Sequence, residues 1–328
     1  MPVPHRPAPM PPAAPERPGT RLSRWPAAWI LGAALAVLTW EAMQPWPLSL
    51  NLLRLYPKRL ASAAAGWAAT RTLPVSLRKP LLGRFARAYQ LDLAEADRPL
   101  EDYSSLQALF TRRLKPGLRP QAEPAPGFVN SPVDGVLIAG GRIEAGMAIQ
   151  AKGLPYRIEE LLKHDPDPER FEGGHYLTLY LAPRDYHRIH VPFHGEVLAV
   201  GRVEGELWPV NGASTACVPR LYERNRRATW AARGTGPDQG LELAAVLVGA
   251  THVGGVVIDP RWLGGAALPR DGRLGVGGLP CLPGEDLGTF QFGSTVVLLV
   301  GGPEAGRWAP ALASGPVRVG QRLGRFRP

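Results

Sequence analysis

From Phe128 onward the apolar residues come in short runs that Gly and Pro interrupt: 135–139, 176–181, 195–200, 243–248, 254–258 and 295–300. Short runs rich in β-branched and aliphatic residues and bounded by turn formers predict strands. Two segments carry helical spacing instead. Residues 103–117 (YSSLQALFTRRLKPG) predict a helix capped near Ser104 and stopped at Pro116-Gly117, followed by a Pro-rich linker to Gly127. Residues 155–163 predict the one clear short helix of the β-rich part, with Pro155 in its first turn and Ile158, Leu161 and Leu162 on one face. No internal repeat is visible.

The N-terminal part has a different texture. Residues 1–24, rich in Pro, Ala and Arg, predict a disordered tail. Residues 25–40 (WPAAWILGAALAVLTW) are uncharged and apolar but fall short of the roughly 20 residues that span a bilayer, which favours an anchor or an interfacial helix. From 42 to 91 there is no Asp or Glu. Arg54, Lys58, Arg59, Arg71, Arg78, Lys79, Arg84 and Arg87 alternate there with Leu50, Leu53, Leu60 and Trp67, broken by Pro57 and Pro74. That pattern predicts short basic amphipathic helices lying on anionic lipid. The expected fold class is therefore α+β: a β-rich catalytic core, barrel- or sandwich-like, over 128–328, preceded by membrane-associating helices over 25–118.

Composition narrows the partners. The 328 residues carry a formal charge of +10, mostly from Arg, which calls for an anionic partner, nucleic acid or membrane. No nucleotide loop, zinc-ligand spacing or aromatic RNA-binding signature accompanies that charge, so nucleic acid is not expected. Cys217 and Cys281 stand alone, which suits a reducing compartment or a chain without disulfides.

Five stretches carry candidate chemistry. Ser131-Pro132-Val133-Asp134-Gly135 places an acid before Gly at a strand entry, where a turn residue is the commonest role. Residues 180–195 (YLAPRDYHRIHVPFHG) hold His187 and His190, which a helical turn would bring together and a strand would not. No third ligand of matching character accompanies the pair, so no metal is expected. Val210-Asn211 precedes a cluster of Arg220, Arg224, Asn225, Arg226 and Arg227, which suits phosphate or carboxylate recognition or a solvated basic loop. Residues 247–254 (LVGATHVG) pair glycines for close backbone approach. In Phe292-Gly293-Ser294-Thr295 a hydroxyl directly follows an unhindered carbonyl, at the mouth of an apolar run. An Asp, a His and a Ser from separate segments can form a nucleophilic triad, in which His takes the hydroxyl proton and Asp orients His.

Taken in order, VDG, YLAPRDYHRIHVPFHG, Val-Asn with the Arg-Asn run, LVGATHVG and FGSTV resemble phosphatidylserine decarboxylase, and with FTRRLKPGLRP and AKGLPY the resemblance runs from about residue 47 to the end. The resemblance implies a proenzyme that cleaves itself between Gly293 and Ser294 by serinolysis, giving a β chain 1–293 and an α chain 294–328 that stay together as a heterodimer. It implies Asp134, His190 and Ser294 as the self-cleavage triad, His187 in the decarboxylation step, and Val210 and Asn211 near substrate. Ser294 would become a pyruvoyl cofactor that forms a Schiff base with phosphatidylserine and releases phosphatidylethanolamine, on the cytoplasmic face of the cell membrane as a peripheral protein. Phe292 stands where members commonly carry Leu, Pro209 where bacterial members often carry Ser, and residues 1–40 extend beyond the usual start. Two other readings use the same residues: a membrane-attached serine hydrolase whose backbone stays whole, and a β-barrel binding module on a lipid-tethering helix.

Overall fold

The computed structural model describes residues 58–122, 127–150, 153–251, 255–291, 294–311 and 313–326. The tail 1–24, the apolar segment 25–40 and the basic stretch before Lys58 lie outside the described residues, as do His252, Phe292 and Gly293.

The described residues open in helix α1 (Lys58–Ala69), and Pro74, which interrupts the basic stretch, is the N-cap of α2 (Val75–Ala88). Helix α2 buries Leu82, Phe85 and Ala86 and leaves Lys79, Arg84 and Arg87 in water. No helix among the described residues is long and apolar enough to cross a membrane. The third helix, α3 (Leu106–Phe110), is capped by Ser105, whose Oγ accepts from the Ala108 amide at 3.1 Å. It ends well before the Pro116-Gly117 stop expected from sequence. The chain leaves the helix because Arg112 turns inward to donate to the Arg184 carbonyl at 3.1 Å, and Leu114 then bridges Ala96.

The rest of the chain forms β1 (Phe128–Asn130), β2 (Gly135–Arg142), β3 (Met147–Ile149), β4 (Pro155–Arg157), α4 (Ile158–Leu162), β5 (His175–Leu181), β6 (Arg188–His190) and β7 (Gly195–Val203). After these come α5 (Gly212–Cys217), α6 (Leu221–Arg224), β8 (Arg227–Gly234), β9 (Glu242–Val248), β10 (Val256–Ile258), β11 (Gly272–Cys281), β12 (Asp286–Phe290), β13 (Ser294–Gly301), β14 (Trp308–Pro310), β15 (Gly315–Val317) and β16 (Arg322–Phe326). Eight strands make one antiparallel sheet in the order β11-β7-β8-β9-β13-β5-β2-β15. Its order is linear with β11 and β15 at the edges, so the core is an open sheet and not a closed barrel. Smaller sheets, β1-β16-β14 and β10-β12-β6, and the β3-β4 hairpin complete the fold.

Period-2 alternation splits the central strands between two apolar layers. Val297 and Leu299 with Ala244, Val246 and Val248 pack on the side of α2, α3 and α4, against Leu82, Phe85, Leu109, Phe110 and Leu161. Val296, Leu298 and Val300 with Leu177, Leu179 and Leu181 pack on the other side, against Ile189, Val191, Leu287, Phe290 and Trp308. Burial on both faces explains why 295–300 is apolar without alternation. Each fully buried Val or Leu contributes about 1.5–3 kcal/mol.

Two expectations need revising. Pro155 does not open a helix: Pro155–Arg157 is strand β4, paired with Met147–Ile149, because Tyr156 is drawn into the core opposite Ala148. The helix starts at Ile158, and its expected face of Ile158, Leu161 and Leu162 is the buried one. The Gly-rich stretch after Pro260 contains an edge strand, β11, that periodicity did not show.

Candidate active site

Strand β13 begins at Ser294, which faces Leu181 at the end of β5, and Thr295 lies between Tyr180 and Val248. Strand β2 begins beside the same end, with Val136 opposite Tyr180. Ser294 is fully buried, and among the described residues its Oγ has no hydrogen-bond partner. A buried hydroxyl without a partner costs about 1–3 kcal/mol, so its retention asks for a use.

Directly after Leu181 the chain turns. The Asp185 amide donates to the Ala182 carbonyl at 2.9 Å and the Ala182 amide to Asp185 Oδ2 at 2.7 Å. This turn delivers His187, fully buried and stacked on Phe110 with ring centroids 4.0 Å apart. His187 Nε2 lies 3.0 Å from the Ala182 carbonyl. A carbonyl can only accept, so Nε2 carries the hydrogen and Nδ1 is left with its lone pair; among the described residues Nδ1 has no partner. Burial, reinforced by the charge of Arg112, pulls the His187 pKa down to about 3.

His190 takes the opposite tautomer. It lies on extended β6, not on a helical turn, and pairs with Asp286 of β12. Its Nδ1 donates to the Gly284 carbonyl at 2.9 Å, so Nε2 carries the lone pair, buried and without a partner among the described residues. The Tyr186 ring stacks on it at 5.6 Å. Burial lowers the His190 pKa; the Gly284 carbonyl, Asp286 and Asp134 oppose that effect, in falling order.

Asp134 sits in the turn entering β2, whose Pro132 carbonyl accepts from the His190 amide at 2.8 Å. The Asp134 carboxylate is engaged elsewhere. Oδ1 accepts from the Val319 amide at 2.8 Å and from Arg119 Nε at 2.9 Å, and Oδ2 accepts from Arg119 Nη2 at 2.6 Å. Arg119 also grips Glu95 at 2.6 Å, and these two acids hold its guanidinium firmly charged, with a raised pKa. Asp134, Arg119, Arg112, Arg184 and Tyr186 line a cleft of about 420 Å³. The structure thus brings Asp134, His187, His190 and Ser294 to one end of the main sheet, but no hydrogen bond joins Asp134 to His190.

Val210 is buried in the helix-side layer, and Asn211 caps α5, accepting from the Ser214 amide at 3.0 Å. Their segment is tied to the chain following β9, where the Thr251 hydroxyl donates to the Leu207 carbonyl. The arginines after Val210-Asn211 are paired: Arg220 with Glu223, Arg224 with Glu206 and Arg226 with Glu204, while Arg227 is buried against the carbonyls of Leu161 and Asn225. Asn225 stitches Trp208 to Gly249. That cluster builds structure and does not form a free phosphate seat. Among the described residues no group of His, Cys, Asp and Glu could hold a metal ion. Sequence reasoning passed over Arg112, Arg119 and Asp286. Each is one charged residue among many, and only contacts across long stretches of chain single it out.

Comparison with known proteins fits this arrangement. Residues 106–325 match the family model described as phosphatidylserine decarboxylase. A relative from Anaeromyxobacter sp. (strain K) is 44% identical over 285 residues, covering 84% of this chain and 98% of its own. One from Myxococcus xanthus is 36% identical over 279 residues (84% and 97%), and one from Verminephrobacter eiseniae 39% identical over 278 (81% and 93%). All three are named phosphatidylserine decarboxylase proenzyme. The class is therefore an enzyme, a decarboxylase made as a proenzyme. The chain belongs to the phosphatidylserine decarboxylase family.

Proposed function

We propose that this chain cuts itself between Gly293 and Ser294 and then decarboxylates phosphatidylserine to phosphatidylethanolamine. The observation that carries the reading is the buried, unpartnered Ser294 hydroxyl at the head of β13, in a site where His190 Nε2 and His187 Nδ1 are also buried and free. In the first step Ser294 Oγ adds to the Gly293 carbonyl carbon while His190 Nε2 takes the hydroxyl proton. His190 returns that proton to the departing amide nitrogen, and an ester replaces the peptide bond. Loss of the Ser294 α-proton then breaks the ester Cβ–O bond, leaving Gly293 as a carboxylate and residue 294 as a dehydroalanine. Water replaces its nitrogen, releasing ammonia and leaving a pyruvoyl group on the α chain. Asp134 favours the protonated form of His190 through space. A residue that loses its hydroxyl in this way fits Ser294, whose Oγ has no partner to give up.

The pyruvoyl group supplies Schiff-base chemistry: a carbonyl for the substrate amine and a sink for the electron pair left by carbon dioxide. The chain's residues do the rest. His187, held neutral with Nδ1 free, accepts a hydrogen bond from the reacting headgroup during decarboxylation. The cleft beside Asp134 interleaves Arg112, Arg119 and Arg184 with Asp134 and Asp185, a charge pattern suited to a zwitterionic headgroup. The resemblance puts Val210 and Asn211 near substrate, and their segment is tied to Thr251, just past β9. The exposed Lys79, Arg84 and Arg87 of α2 fit an anionic membrane surface, and the protein works there as a peripheral β/α heterodimer on the cytoplasmic face of the cell membrane.

Intact mass of the purified protein tests the reading. Two fragments are expected, cut after Gly293, with the smaller lacking a free amino terminus. Ser294→Ala should leave one uncut chain, and His187→Ala should cut normally yet form no phosphatidylethanolamine. An active protein with the mass of the whole translation product would refute the proposal.

A further inference from the structure

We infer that Arg318, on the small product of the cut, joins Arg184 in holding the phosphate of the lipid headgroup at the mouth of the cleft beside Asp134. This rests on the reading of the chain as a self-cleaving phosphatidylserine decarboxylase. Arg112, Arg119, Arg184 and Arg318 all line that cleft. The first two are committed. Arg119 is clamped between Glu95 and Asp134, and Arg112 is buried with Nη2 on the Arg184 carbonyl. The other two reach into water, with side chains 58% exposed at Arg184 and 69% at Arg318. Each meets its acid, Asp185 or Glu95, only at 3.9 Å, beyond hydrogen-bond reach. Those acids are occupied: both Glu95 oxygens accept from Arg119, and Asp185 Oδ2 accepts from the Ala182 amide. The two rim guanidinium groups therefore have donors to spare for an anion.

The backbone fixes Arg318 at the rim. Strand β15 pairs with β2, with Val317 opposite Gly135, the residue after Asp134. The Val319 amide donates to Asp134 Oδ1, the Val319 side chain is buried, and the Gly320 amide donates to the Ser131 carbonyl at 3.0 Å. Gln321 closes the turn, its Oε1 accepting from the Arg318 amide at 3.1 Å. Pinned in this way, the segment leaves the Arg318 side chain pointing outward. The reaction selects phosphate over carboxylate as the group these arginines hold. The substrate amine must reach residue 294, and the carboxylate beside it departs as carbon dioxide. A firm grip on that carboxylate would stabilise the ground state and oppose the reaction. The phosphate keeps its charge throughout and lies further out along the headgroup, toward the glycerol and the membrane. Gln90 and Asp92, just past α2, line the same cleft, so it adjoins the helix proposed to lie on lipid. Guanidinium suits phosphate because it presents planar forks of N–H donors.

The test uses the mature protein and dihexanoyl phosphatidylserine below its micelle concentration, so that membrane attachment plays no part. Arg318→Gln and Arg184→Gln should each cut normally and raise KM by about three- to tenfold, with kcat changed little. Arg318→Lys, which keeps the charge, should recover much of the affinity. Calorimetry supplies a readout independent of turnover. Glycerophosphoethanolamine should bind Arg318→Gln more weakly than wild type by the same factor, whereas ethanolamine, which lacks the phosphate, should bind both alike. Unchanged KM and binding in both variants would overturn the inference. A defect seen only on phosphatidylserine vesicles would also overturn it, by assigning the arginines to the lipid surface. So would loss of cleavage in Arg318→Gln, which would make the residue a prop for Asp134. A wild-type chain that fails to cut itself or to release carbon dioxide would instead sink the functional reading on which this inference rests.

Discussion

His187 and His190 are three positions apart yet carry their protons on opposite nitrogens, because one ring meets the Ala182 carbonyl through Nε2 and the other meets Gly284 through Nδ1. Each is left with one inward lone pair. The cost of this arrangement shows in the pH dependence of folding. The unfolded chain protonates His187 at its ordinary value of 6.5, whereas the folded chain resists until about pH 3. The stability from keeping this ring neutral is fully present above the unfolded value and is lost as pH falls toward the folded one, by up to about 1.4 kcal/mol per pH unit. Urea midpoints of the Ser294→Ala precursor should therefore fall between about pH 6.5 and pH 4. Replacing His187 by Phe, which can still stack on Phe110, should flatten that fall. An unchanged slope would mean that the ring is charged in the native state.

At the scale of elements, β2, β5 and β13 form the frame of the site, and the glycine after Asp134 sets their spacing. A Cβ on Gly135 would come within 2.3 Å of the Tyr180 carbonyl oxygen, in the strand that also pairs with Ser294. Gly135→Ala should push β2 off β5, destabilise the precursor by about 1–3 kcal/mol and slow cleavage, read by urea titration and gel in parallel. Normal stability and cleavage in that variant would show that the frame tolerates the shift. The central strands were legible in sequence because burial on both faces leaves uninterrupted apolar runs, as in 243–248 and 295–300. Strand β11 was not, because its glycines erase the alternation, and neither was the early end of α3, which Arg112 decides by reaching a carbonyl far along the chain. The residues proposed to react stood out through an ordered set of local motifs. Their partners did not: Arg119, Gly284 and Asp286 reach the site through tertiary contacts that leave no periodic trace.

Across the whole molecule, the charge of +10 is unevenly placed. On α1, α2 and the link between them the exposed Leu60, Trp67 and Val75 stand among Arg71, Lys79, Arg84 and Arg87, with no acid on either helix. Binding to vesicles containing an anionic lipid should weaken as salt rises from about 0.1 to 0.5 M. Exchanging Lys79, Arg84 and Arg87 for Glu should weaken it further without lowering the urea midpoint, as measured by co-sedimentation. Salt-independent binding would put the attachment elsewhere. The place of β13 has one more consequence. It is flanked on one side by β9 and on the other by β5, with its side chains sunk in both apolar layers. A break just before Ser294 would sever the covalent thread while every non-covalent tie of that strand persisted. Parting the two products would mean dismantling the hydrophobic interior, so dilution alone could not separate them.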